Sequence, residues 1–278
     1  MIKFNRCREM SVIKPKCLYK FRSINLDHKV GIERFKQIVI ENKLYFAAPS
    51  EINDPFDCKI PPNFDADEKT LRQFIIDETR NNPDFPGAPD SVIESFADDV
   101  IASDGVKKLS KDMLASMRLA QGQILNRNVG VCCFSAVKND ILLWAHYANG
   151  HTGICLEFNI QKGIQLFHRA KPVKYYKSYP NVNFFKCYHK NEHWMPKILI
   201  AKANCWKYES EWRVFKFDGP GLEIFPECCL TAIIFGCQMQ DREKHFLINF
   251  VKENKMGIKL IEARMKENKY GLKFMQIT

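Results

Sequence analysis

Strand-length and helix-length apolar patterns follow one another along this chain without strict alternation, and that order limits the fold more than any other feature. Cys17-Leu18-Tyr19-Lys20-Phe21-Arg22-Ser23 alternates apolar and polar positions as a half-buried strand does, and Leu44 to Ala48 is a second strand ended by Pro49. Between them, GIERFKQIVIENK sets Ile32, Phe35, Ile38 and Val39 on one helical face. Val129 to Ser135, Gly153 to Phe158, Val173 to Tyr175, Glu211 to Phe215, Leu230 to Phe235 and Ile258 to Ala263 are further expected strands, with Lys273 to Ile277 closing a last hairpin. Helices are expected over Leu142 to Tyr147, Met195 to Ala203 and Asp241 to Asn254. A doubly wound parallel sheet needs regular strand-helix alternation, so the expectation is α+β, with a single mixed, largely antiparallel sheet core.

From residue 61 to 128 the pattern turns helical, in segments such as EKTLRQFIIDETR, DSVIESFADDVIA and SKDMLASMRLAQGQILN. This stretch is expected to be a helical insertion within one domain spanning residues 1–278, since 278 residues with 46% hydrophobic content can bury one sizeable core. Charge marks the insertion as well. Between Asp65 and Asp99 ten acids face three Lys/Arg, whereas between Gln161 and Asp218 twelve Lys/Arg face four acids. The second stretch would draw an anionic acceptor, nucleic acid or nucleotide, and it carries much of the net charge of +10.

No run reaches the roughly 18 to 20 apolar residues of a spanning helix, and MIKFNRCREMSVIKPK has no apolar block, so no membrane partner and a cytoplasmic location are expected. The eleven cysteines lie mostly in apolar strings such as VGVCCFS and PECCL, as buried thiols do, and form no C-x-x-C pair. His189-Lys190-Asn191-Glu192-His193 fits H-x-x-E-H, a zinc-protease pattern when helical, but Pro196 follows almost at once; no metal is expected. G-x-G-x-x-G, Walker and G-x-S-x-G motifs are absent.

Two short stretches concentrate the side chains that do chemistry. LLWAHYANGHTGICLEF brings Trp144, His146, Tyr147, His151 and Glu157 together, the glutamate in an apolar strand where a carboxylate needs a partner. WKYESEWRVF carries Glu209, Glu211 and Arg213. In an extended chain Glu209 and Glu211 would share a face, and two carboxylates so placed repel unless a cation lies between them or one holds a proton. That arrangement suits acid-base work, while an ion pair from Glu211 or Arg213 within the sheet is the structural alternative. Asn53 and Asp54 stand in a further turn, SEINDPFD.

The blocks LYKFRS, LYFAAPSEINDPFD, VCCFS, LLWAHYANGHTGICLEF and WKYESEWRVF, from about Leu18 to Gly236, resemble the uncharacterised and mainly bacterial DUF2971 family, a name that carries no activity. A second set, Arg22 on the first strand, Ser135 ending a strand, and Glu209-Ser210-Glu211, resembles the ADP-ribosyltransferase superfamily in chain order. That resemblance implies an ADP-ribosyltransferase-like sheet and NAD as a substrate. It also implies an enzyme of the toxin or defence kind that transfers or hydrolyses ADP-ribose. Glu211 and Glu209 would then be catalytic, Arg22 or Lys20 would grip the pyrophosphate, Ser135 would support the ribose, and Tyr45 or Trp144 would stack on a ring; His146, which has no place in that scheme, is a further catalytic candidate. The alternatives are a non-catalytic nucleic-acid or nucleotide-binding module, in which His146, Tyr147 and Arg213 would line the surface, and a metal-dependent hydrolase using His189 and His193 or His146 and His151.

Overall fold

The computed structural model describes residues 13–277, apart from 25, 27, 28, 62, 64, 104–110, 190–193, 255 and 256. The chain runs β1 (Cys17–Arg22), α1 (Lys29–Val39), β2 (Lys43–Phe46), α2 (Glu68–Asn81), α3 (Asp90–Ala102), α4 (Lys111–Asn128), β3 (Gly130–Ser135), α5 (Ile141–Tyr147), β4 (Ile154–Asn159) and α6 (Ile164–Phe167). It continues with β5 (Lys171–Pro172), β6 (Lys174–Tyr176), α7 (Phe184–His189), α8 (Trp194–Leu199), β7 (Ala201–Ala203), β8 (Glu211–Lys216), β9 (Gly221–Ile224), β10 (Leu230–Phe235), α9 (Asp241–Asn254), β11 (Lys259–Met265) and β12 (Leu272–Gln276).

Eight strands form one sheet in the order β12-β11-β10-β4-β1-β3-β8-β5. Neighbours are antiparallel except β10 and β11, whose parallel pairing uses α9 as the crossover that parallel strands require. The fold is therefore mixed, with a large and mostly antiparallel central sheet plus helices, as the lack of alternation predicts. Two small sheets stand apart, β2 with β9 and β6 with β7.

Apolar strands take the middle of the sheet. Ile154, Cys155, Leu156 and Phe158 of β4 and Ile233, Ile234 and Phe235 of β10 are all buried, which is possible only where both faces are covered. On one face Leu18, Phe134, Leu156, Phe158, Val214 and Ile233 pack with Phe35, Ile38 and Val39 of α1 and Leu247 and Val251 of α9. Phe134 meets Phe158 and Phe167 edge-on, at 5.6 and 5.5 Å between ring centroids. On the other face Phe21, Cys155 and Ile234 pack with Leu143 and Trp144 of α5. Further along that face, Val131 and Phe215 pack with Leu125 and Leu199.

Helices α2, α3 and α4 lie between β2 and β3 in the chain. Asp67 caps α2 by accepting from the Thr70 amide at 2.7 Å. Helices α2 and α3 share a small apolar cluster of Ile76, Ile93 and Ala97, and Arg72–Asp98 and Arg80–Asp90 ion pairs join them. The acids of this region thus partly neutralise its own few bases.

Several local expectations change. The helix expected over Met195 to Ala203 stops at Leu199, and residues 201–203 extend as β7 because they pair with β6, a tertiary contact that overrides the local pattern. Of the strand expected over Val173 to Tyr175, residues 174 and 175 fall in β6 of a small sheet, while the edge strand β5 of the main sheet ends just before it at Pro172. Trp206 to Glu209 is not extended: residues 204–209 form a 3-10 helix, and Ser210 turns the chain into β8 with φ 45° and ψ 47°. β9 has no counterpart in the expected strands, although Leu222 and Ile224 alternate with Glu223 after a glycine. Of the H-x-x-E-H pattern, Glu192 and His193 lie outside the described residues.

Candidate functional site

Five charged side chains meet on the second face of the sheet, where β8, β7 and the turn at residues 54–58 converge. Arg213 of β8 and Lys202 of β7 face Asp57, Glu209 and Glu211, and all five residues are buried. Strand register explains the choice of face. Tyr19 pairs with Ser135 and Ser135 with Glu211, so Tyr19, Phe21, Cys133, Ser135, Glu211 and Arg213 lie on one side of the sheet.

Every N–H of Arg213 is used. Nε donates to Glu211 Oε1 at 2.7 Å, Nη1 to Asp57 Oδ1 at 2.9 Å and the Leu199 carbonyl at 2.7 Å, and Nη2 to Asp57 Oδ2 at 2.5 Å and Glu211 Oε2 at 3.1 Å. A lysine could not make this bidentate pair. Lys202 Nζ bridges the two glutamates, donating to Glu209 Oε2 at 2.5 Å and Glu211 Oε2 at 2.8 Å, and stands 5.1 Å from the centroid of the Trp206 ring. It is the cation that two adjacent carboxylates require. Both readings of WKYESEWRVF are therefore present at once: Glu211 closes an ion pair in the sheet, and a cation lies between Glu209 and Glu211.

The two glutamates differ in their surroundings. Burial would raise the Glu211 pKa, but Arg213 and then Lys202 outweigh it and hold the carboxyl down at about 2. Burial also raises that of Glu209, and there Lys202 and Tyr147 do not fully offset it, so its pKa lies above the ordinary value. Lys202 is desolvated too, yet Glu211 and Glu209 together keep it charged well past its usual range. Three carboxylates against two cations leave one negative charge in surplus, and Glu209 is the member best able to carry a proton.

Glu209 is also the member with a path outward. Tyr147 Oη, half-buried, donates to Glu209 Oε1 at 2.6 Å and accepts from Nδ2 of exposed Asn53 at 3.3 Å. Burial first, and then Glu209, push the Tyr147 phenol up, so it stays a neutral donor. Around this exit stand exposed His146 and half-buried Trp206 and Tyr208; the imidazole centroid lies 6.4 Å from each of the rings of Tyr147, Trp206 and Tyr208.

The remaining sequence candidates divide plainly. Ser135 is drawn to the cluster as a brace: its Oγ donates to the Glu209 carbonyl at 2.7 Å and accepts from the Val137 amide at 3.0 Å. Tyr175 Oη accepts from the Glu211 amide at 2.7 Å. Arg22 and Lys20 alternate with Tyr19 and Phe21, so they belong to the opposite face of the sheet from Glu211; Lys20 Nζ is spent on the Cys133 carbonyl at 3.0 Å. A grip on a ligand shared with Glu211 is excluded for both by the pleat. Tyr45 sits in the β2–β9 sheet and donates to Glu51. Trp144 is fully buried core, its Nε1 donating to the Lys138 carbonyl at 2.8 Å and its ring edge-on to Phe21, so its ring is not open to a ligand. Asp54 accepts from the Phe56 amide at 2.9 Å and shapes its own turn. Glu157 has its partners in Thr231 Oγ1 at 2.9 Å and Lys138 Nζ at 3.4 Å. His151 stands apart, beside Cys237.

Asp57 and Lys202 complete the network and were not among the sequence candidates. Lys202 carried a signal, a lone lysine in the apolar run Ile198-Leu199-Ile200-Ala201-Lys202-Ala203. Asp57 lay in the quoted turn, but nothing local separates it from Asp54. Among the described residues no group of three or more His, Cys, Asp or Glu is placed to hold a metal ion. No helix among them is long and apolar enough to cross a membrane.

Fold and cluster together define a mixed α+β protein with a buried ionic network beside a group of aromatic rings nearer the surface. The family model described as a protein of unknown function (DUF2971) matches residues 143–214, from α5 to β8. That stretch contains Tyr147, Lys202, Glu209, Glu211 and Arg213, and it bears out the first resemblance over this part of the chain. No curated protein and no solved structure matches. The ADP-ribosyltransferase resemblance thus has no support from either comparison, and Arg22, one of its three points, lies across the sheet from the other two.

Proposed function

We propose that the protein is an enzyme acting on a nucleotide, with Glu209 as the proton-handling carboxylate and Tyr147 between it and the surface. One observation carries the reading: Glu209 combines a raised pKa with a hydrogen-bonded path, through Tyr147 and Asn53, to the surface. Lys202 holds that carboxylate, and Glu211, Arg213 and Asp57 fix Lys202 from behind instead of meeting the ligand. His146, Trp206 and Tyr208 supply ring surface for a planar base. NAD is the nucleotide to try first. Loss of its nicotinamide leaves positive charge on the ribose, which a carboxylate in a water-poor site stabilises.

The test is thermal melting with and without NAD, together with nicotinamide release, for the wild type, Glu209→Gln, Trp206→Ala and Arg22→Ala. A ligand at a hundred times its Kd adds about 2.7 kcal/mol of stability. The expected pattern is a shift that survives Arg22→Ala and Glu209→Gln but is lost in Trp206→Ala, with release abolished in Glu209→Gln. If NAD and other nucleotides produce neither shift nor release, the reading fails. Steeply salt-dependent RNA or DNA binding that survives Glu209→Gln would then favour a non-catalytic anion-binding module.

A further inference from the structure

A second pair of reactive side chains lies outside the ionic cluster, where the α5–β4 turn meets the end of β10. Cys237 Sγ stands 3.7 Å from His151 Nδ1. With Nδ1 facing the sulfur, the tautomer that carries its proton on Nε2 leaves Nδ1 free to accept from the thiol. Its face lies parallel to Trp144, 13° between planes. His151 holds this place at φ 69°, in a left-handed turn with Asn149 and Gly150. The turn is pinned from outside: the His151 amide donates to the Trp144 carbonyl, and the His151 carbonyl accepts from the Gln238 amide at 3.0 Å. A Cβ at Gly236 would run into that carbonyl, so the segment before Cys237 passes where only glycine fits. The backbone therefore fixes the approach of the two segments that carry nucleophile and base. Both side chains are half-buried.

We propose that Cys237 and His151 form a thiol–imidazole modification site that reacts with small disulfides. Burial pushes the Cys237 thiol up and the His151 imidazole down, so both rest neutral and the proton moves only during attack. As Sγ forms a bond to one sulfur of the disulfide, its proton passes to His151 Nδ1 and the disulfide S–S bond breaks. The departing thiolate takes the electron pair and then that proton, leaving Cys237 as a mixed disulfide and the other half as free thiol.

Exposed Cys205 and Cys228 provide controls in the same chain. Glutathione disulfide is added to the full protein, and mixed-disulfide formation is followed at each cysteine by site-resolved mass spectrometry. Cys237 is expected to react faster than Cys205 or Cys228 despite its lower exposure. His151→Asn removes the imidazole while asparagine tolerates the left-handed backbone, so the turn should persist. In that variant the Cys237 rate should fall about tenfold or more, as loss of a general base predicts, with Cys205 and Cys228 unchanged. A Cys237 rate no greater than that of the exposed cysteines, or one that His151→Asn leaves the same or raises, would overturn the proposal and leave a packing contact between sulfur and ring.

Discussion

The two faces of the central sheet are built from the same strands and held by different physics. Under α1 and α9 the face is largely apolar, with Leu18, Phe134, Phe158, Val214 and Ile233 excluding water at about 25 cal/mol per Å² buried. On the other face Arg213 and Glu211 alternate along β8 with Trp212 and Val214 of the apolar side, and five charges replace hydrocarbon. Desolvating such groups often costs as much as their pairing returns, so a buried network is weak evidence of stabilisation. The difference teaches where to look for function: the apolar face explains why the chain folds, and the charged face needs another reason to exist.

Substitutions can break that comparison. Phe158→Ala on the apolar face and Arg213→Met on the charged one should each cost about 3–5 kcal/mol in urea unfolding, the first by opening a cavity, the second by leaving carboxylates buried without their partner. They should separate with pH. The Phe158 cost should hold steady, while the Arg213 cost shrinks on acidification as orphaned Glu211 takes up a proton. Equal pH dependence in the two variants would show that the charged face is not electrostatically distinct.

Lys202→Met comes next, at about 3 kcal/mol, since Glu209 and Glu211 lose their shared cation but Arg213 still holds Glu211. Smaller again is Glu209→Gln, and here the sign differs. Because the Glu209 pKa is raised in the fold, its contribution is complete below its ordinary value of 4.5 and is lost as pH rises through the raised one. The glutamine variant should therefore gain on the wild type across that rise. Glu211 runs the other way, its contribution present above 4.5 and lost as pH falls toward about 2. Unfolding free energies measured from pH 2 to 8 would show the two opposite slopes, and parallel behaviour of Glu209→Gln and Glu211→Gln would refute the asymmetry. The smallest effect belongs to Ser210→Gly: relief of φ 45° nearly balances the added backbone entropy, so the change should stay within about 1 kcal/mol.

Much of the site was legible locally. The concentration of Glu209, Glu211 and Arg213 in one short stretch marked it, and the repulsion of two carboxylates demanded a cation. The identity of that cation was not legible, because Lys202 reaches the glutamates only when residues 201–203 abandon their helical pattern to pair with β6. Asp57 was hidden for the same reason: its partner Arg213 lies more than a hundred and fifty positions away. Trp144 and His146, two residues apart on α5, went to opposite fates, one to the core and one to solvent, which the helix's orientation on the sheet decides.

By itself the sequence determined what depends on near neighbours: apolar runs long enough for central strands, the mixed order that rules out a doubly wound sheet, and the acidic helical stretch between β2 and β3. Tertiary structure alone decided which residues share a face. Strand pairing couples side-chain direction across the whole sheet with a period of two, so Arg22 on β1 and Glu211 on β8 are separated by the pleat however suggestive their order along the chain.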